Sequence, residues 1–130
     1  MNFKKNTQGY IFLKPFNKIY LPTYVQNILI KNFCDQKNLL FNLSANEQNI
    51  DNCWMELFSI VKKKDIQVIV MTSIHMLPNN KKDFSKFCQI LNKNKKEFFF
   101  IFENTLCKNL SELKILKNKF NLIKKLDKIF

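Results

Sequence analysis

Apolar residues follow two alternating patterns along the 130 residues. Short, nearly continuous apolar runs occupy 10–14, 39–43, 66–72 and 97–102. Runs of this kind fit strands buried on both faces of a sheet. Between and after them, apolar residues recur at helical spacing. Val25, Ile28, Leu29 and Phe33 mark a helix over 23–37; Trp54, Leu57, Phe58 and Val61 mark one over 52–63. Phe84, Phe87, Cys88 and Leu91 mark a third over 80–94, and Leu113, Leu116, Phe120, Ile123 and Leu126 a last one over 111–129. Pro22 suits a first helical turn, and Asp51 and Ser111 suit N-caps. Strict alternation of strand and helix predicts an α/β fold: three α-β-α layers around a mostly parallel four-stranded sheet. The natural strand order is 2-1-3-4. One Gly, three Pro and no Ser/Gly-rich stretch predict a single domain over 1–130.

Composition narrows this picture. The longest apolar runs fall far short of the ~20 residues that span a bilayer, so no membrane insertion is expected. No apolar segment follows the lysines of MNFKKNTQGY, so no signal peptide is expected and a cytoplasmic location follows. Cys34, Cys53, Cys88 and Cys107 form no C-x-x-C pair, and there is one His, so neither a metal site nor a cofactor is expected. The net charge is +12, and all 22 basic residues are Lys. Arginine grips phosphates and guanines bidentately; its absence argues against a specific nucleic-acid reader, and the scattered lysines read first as a solvated surface.

In open parallel sheets, ligands bind beyond the carboxyl ends of the strands. Lys14 and Asn17 follow the first strand, Ser44 and Glu47 the second, Ser73 and His75 the third. The connector 13–22 is long beside the usual ~2–6 residues, and Gln26 and Asn27 fall in the first turn of the helix after it. Lys14 offers a cation, while Asn17, Gln26, Asn27 and Ser44 offer neutral donors and acceptors. Glu47 and Glu56 are the acid/base candidates, Glu56 because its helical phase sets it beside an apolar stripe, where a carboxyl loses water. Ser73 and His75 are candidate assistants. Each has a plain structural alternative: a turn, a helix flank, a lone structural imidazole. No Walker A, G-x-G-x-x-G or G-x-S-x-G motif is present.

Gly9-Tyr10-Ile11-Phe12, Pro15-Phe16-Asn17, Pro22, Val25-Gln26-Asn27, Leu43-Ser44-Ala45 with Glu47, Met55-Glu56-Leu57, and Ser73 with Leu77-Pro78 together resemble the sporadic carbohydrate cluster protein family. That resemblance implies a part in making an O-antigen or capsule sugar of a lipopolysaccharide or surface polysaccharide. It differs from the family at Leu13-Lys14, where the family has Ser-Arg, and at His75, where it has an aromatic. The alternation and first-strand region are also similar in fold to the catalytic domain of serine recombinases, so the sheet is expected to be flavodoxin-like or resolvase-like. The recombinase resemblance implies a serine nucleophile and arginines around a phosphate; this chain has no Arg and no Ser at 13–14.

The expectation is a carbohydrate-biosynthesis protein that binds or transforms a phosphorylated or nucleotide-linked sugar, by non-covalent acid/base chemistry if it is an enzyme. Two rivals remain: a non-catalytic partner of other biosynthetic enzymes, and a nucleic-acid-binding recombinase-like domain, which requires a lysine stripe on one face. A homo-oligomer is expected on frequency alone.

Overall fold

The structure is a computed structural model that describes residues 4–129. Its elements run β1 (Asn6–Ile11), α1 (Thr23–Gln36), β2 (Leu40–Asn46), α2 (Met55–Lys62), β3 (Val68–Met71), a 3-10 turn (Ile74–Met76), α3 (Lys81–Lys93), β4 (Glu97–Phe100), β5 (Thr105–Cys107) and α4 (Leu110–Ile129). The sheet order is β2-β1-β3-β4-β5. The first four strands are parallel, in the expected order; β5 turns back antiparallel on β4, with Phe98 opposite Cys107 and Phe100 opposite Thr105. The sheet therefore has five strands and is mixed. The fifth strand escapes the pattern because three residues, one of them exposed Leu106, are too few to show a period.

Alternation along the strands splits the core in two. Tyr10, Ile69, Met71, Phe98 and Phe100 face one way and pack with Leu57, Ile60 and Val61 of α2, Phe87 and Leu91 of α3, and Leu113 of α4. Ile11, Val68 and Val70 face the other way, onto Ile30, Phe33 and Cys34 of α1. The three-layer architecture is thus present, with α1 on one face and the other helices opposite.

Gly9 makes the α1 face possible. A Cβ there would collide with Ser44 Oγ and press on Ile30 at 3.1 and 3.2 Å, so the sole glycine lets α1 and β2 close onto β1. In α1 the buried set is Gln26, Ile30, Phe33 and Cys34. That phase differs from the apolar one, because buried Gln26 stands where an apolar residue would be expected while Ile28 is exposed.

Candidate functional site

The connector from β1 to α1 is built by two devices. Phe16 and Ile19 exchange both backbone hydrogen bonds across Asn17 and Lys18, whose φ values are 48 and 65. Asn tolerates that left-handed turn well. Gln26 then clamps the segment: its amide nitrogen donates to the carbonyls of Phe12 and Leu21, and its oxygen accepts from the Phe12 N–H. A side chain that is fully buried and so engaged holds backbone rather than ligand.

Glu47 does comparable work for α2. Only 1% exposed, it accepts from the Tyr10 hydroxyl at 2.8 Å and from the N–H groups of Glu56 and Leu57 at 3.1 and 3.3 Å. It satisfies the first turn of α2, whose own N-cap position, Trp54, supplies no side-chain bond. Burial, with Glu47 alongside, pushes the Tyr10 hydroxyl far above its usual range.

A polar hollow of about 330 Å³ opens at the carboxyl edge of the sheet. Phe12, Lys14, Pro15, Phe16 and Asn17 from the connector line it, with Asp51, Asn52 and Trp54 before α2, His75, Leu77 and Asn79 after β3, and Lys124 from α4. The Lys14 ammonium donates to the Ile50 carbonyl at 2.8 Å and lies 5.4 and 5.7 Å from the ring centres of Phe12 and Trp54. Those rings stabilise its charge. Trp54 is 6% exposed, and its buried indole N–H has no acceptor among the described residues. An unmet buried donor is costly and marks a place for an acceptor. The edge of the His75 ring meets Phe120, and burial, then Lys124 and Lys117, pull its pKa down to about 4. The imidazole is therefore neutral at pH 7. The lining holds two ammonium groups, one carboxylate and no hydroxyl or thiol.

The sequence candidates therefore part company. Lys14, Asn17 and His75 meet in this hollow. Asn27 and Ser44 hydrogen-bond each other at 2.8 Å beside a separate, shallower hollow of about 300 Å³ between α1 and β2. Ser73 donates to Glu103 at 2.9 Å and accepts from the His75 N–H, while Glu103 also takes the Ile74 N–H at 2.8 Å, so the pair shapes the 3-10 turn. Glu56 is half-buried in the first turn of α2. Trp54 and Lys124 were not among the candidates. Trp54 reads as one more residue of an apolar stripe, and Lys124 lies on the last helix, far in sequence from the other lining residues. The available signal was phase: Lys124 falls one turn beyond Phe120, on the core-facing side of α4.

No protein-family model matches the chain, and no curated protein does. Solved structures do. The N-terminal catalytic domain of TP901-1 integrase matches at TM-score 0.68 and 13% identity, over 95% of this chain and 99% of that one. A resolvase family site-specific recombinase from Streptococcus pneumoniae matches at TM-score 0.64 and 12% identity, over 97% and 92%. The fold is similar to that of recombinase catalytic domains. At such identities the likeness concerns the fold alone.

This corrects the functional expectation. The resemblance to a carbohydrate-cluster family finds no matching family model, and the fold aligns with recombinase domains. The residues meant to surround a sugar are divided among two hollows and three structural networks, those of Gln26, Glu47 and Ser73. The reading as an O-antigen, capsule or lipopolysaccharide biosynthesis protein is withdrawn. No helix among the described residues is long and apolar enough to cross a membrane.

Proposed function

We propose that this chain binds the phosphate backbone of nucleic acid without cutting it, and seats a phosphate in the hollow at the carboxyl edge. One observation carries the reading: Lys14 and Lys124 line one hollow, on opposite elements, whose lining holds no hydroxyl or thiol to attack phosphorus. Two ammonium groups suit phosphate oxygens. Neutral His75 adds no charge repulsion toward Lys124. The solved structures of similar fold are a catalytic domain of an integrase and a site-specific recombinase, which is the class of protein that handles DNA. The absence of arginine fits backbone contact better than base reading, because lysine meets phosphate as a point charge and carries no bidentate match to guanine.

Trp54 is the chain's one tryptophan and lines the hollow, so its fluorescence reports occupancy directly. Titration with an oligonucleotide is expected to change that emission, with an affinity that falls as salt rises. Lys14→Ala should weaken binding and lower the salt slope by about one contact, and no nicked product should form. Unchanged affinity in both Lys14→Ala and Lys124→Ala, with both variants folded, overturns the proposal.

A further inference from the structure

At the opposite, amino edge of the sheet lies another hollow, of about 350 Å³. Lys95, Lys96, Lys108 and Lys114 line it with Asn92, Asn109 and Ser111, and no carboxylate does. Lys96 is only 7% exposed, its ammonium held by the Lys63 carbonyl. Burial lowers its pKa and nearby Asp65 opposes that shift; held in place, the ammonium cannot swing away into solvent as the three exposed lysines can. Helix α4 begins at this hollow and runs to the carboxyl-edge one: Lys114 lines the first and Lys124 the second. Lys117 lies between them, half-buried against Phe84 at 4.9 Å from its ring centre. At 100° per residue, positions 114, 117 and 124 fall within about 80° of one another on the helix. Acidic groups near this path are few. Asp65 lies close enough to Lys96 to act on its charge, Glu112 accepts from the Lys108 N–H, and Asp51 lines the carboxyl-edge hollow.

We infer that the two hollows and the lysine face of α4 between them form one continuous track for a single strand of nucleic acid. The inference rests on the phosphate reading of the carboxyl-edge hollow and extends it from a seat to a path. From residue 110 to 124 the helix rises about 21 Å. A stacked strand advances ~3.4 Å per nucleotide, so the track takes about six nucleotides. A flexible strand can dip phosphates into two concave hollows of nucleotide size; a stiff duplex cannot bend into both. Bases have a platform as well. Phe102, 48% exposed, stands with its ring centre 6.3 Å from that of Phe16, which lines the carboxyl-edge hollow. An exposed aromatic beside a phosphate seat is the arrangement on which bases stack, and it distinguishes a nucleic acid from inorganic polyphosphate.

The test is a length series. Oligothymidylates of two, four, six and ten nucleotides are titrated by Trp54 fluorescence and anisotropy, against a duplex and inorganic polyphosphate. Affinity is expected to climb up to about six nucleotides and then level. The double variant Lys108→Ala/Lys114→Ala, both exposed positions, should flatten that climb and leave the dinucleotide unaffected. Phe102→Ala should weaken the hexamer about fivefold or more and leave polyphosphate unchanged. A length-independent affinity, or a climb that survives the double variant, overturns the track while Lys14-dependent dinucleotide binding keeps the seat. A duplex that binds as tightly as the single strand also overturns it. Loss of Lys14 dependence for the dinucleotide itself sinks the underlying phosphate reading.

Discussion

At the scale of single residues, the polar side chains that looked most chemical hold backbone. Glu47 replaces the missing cap of α2 and takes the Tyr10 hydroxyl. Glu47→Ala leaves those buried donors unmet and should cost about 2–4 kcal/mol, since bonds to a charged acceptor carry ~1.5–3 kcal/mol and stranded donors add to it; urea unfolding measures this. Gly9→Ala drives a methyl against Ser44 and Ile30 and should cost about 1–3 kcal/mol. The double variant Gly9→Ala/Ser44→Ala should recover part of that loss, because the hydroxyl is the closest of the clashing atoms. His75 supplies a pH prediction. Its folded pKa, about 4, lies below its ordinary 6.5, so between those values the unfolded chain binds more protons. Stability therefore falls as pH drops from about 6.5 to about 4, and it rises in the reverse direction. In thermal melts across that window, His75→Gln should show a shallower decline than the parent. Equal slopes would mean that the imidazole titrates normally.

At the scale of elements, the periodic pattern predicts all four helices and the first four strands, because each carries a run or stripe of apolar residues at its own period, even where, as in the edge strand β2, only Ala45 is buried. Four features escape it. Strand β5 is too short to show a period. The buried face of α1 contains Gln26, which pattern reading assigns to the solvent side because its partners are backbone groups fourteen residues away. The first turn of α2 is capped by Glu47, through a tertiary contact that no local motif encodes, and α4 is capped by Asn109 rather than Ser111, its side-chain oxygen taking the Glu112 N–H. Of the candidate site, Lys14, Asn17 and His75 were legible because topology alone brings strand ends together. Lys124 was not, because it depends on how α4 docks. That docking is uneven: Leu113 is fully buried, Leu116 and Phe120 are half-buried, and Leu122, Ile123 and Leu126 are exposed. Leu113→Ala should cost about 2–5 kcal/mol and weaken binding at the carboxyl-edge hollow by displacing Lys124. Hydrogen exchange should show amides of 111–117 better protected than those of 121–126.

At the scale of the whole molecule, the question is whether a charge of +12 is a coat or a device. A coat attracts polyanions diffusely, and the loss of any exposed lysine then weakens binding alike. A track makes position decisive. Lys108, Lys114 and Lys124 are exposed and line the two hollows. Lys31 on α1, and Lys62 and Lys64 at the end of α2, are equally exposed but line neither hollow. The two triple lysine-to-glutamine variants have the same net charge, so their difference isolates geometry. For a single strand each phosphate contact contributes ~0.7 to the slope of log K against log salt. The first variant should lower that slope by about 2, and the second should leave it near the parent value. Equal losses in the two would show a diffuse coat, and the recombinase-like fold would then carry its lysines without a path for a strand.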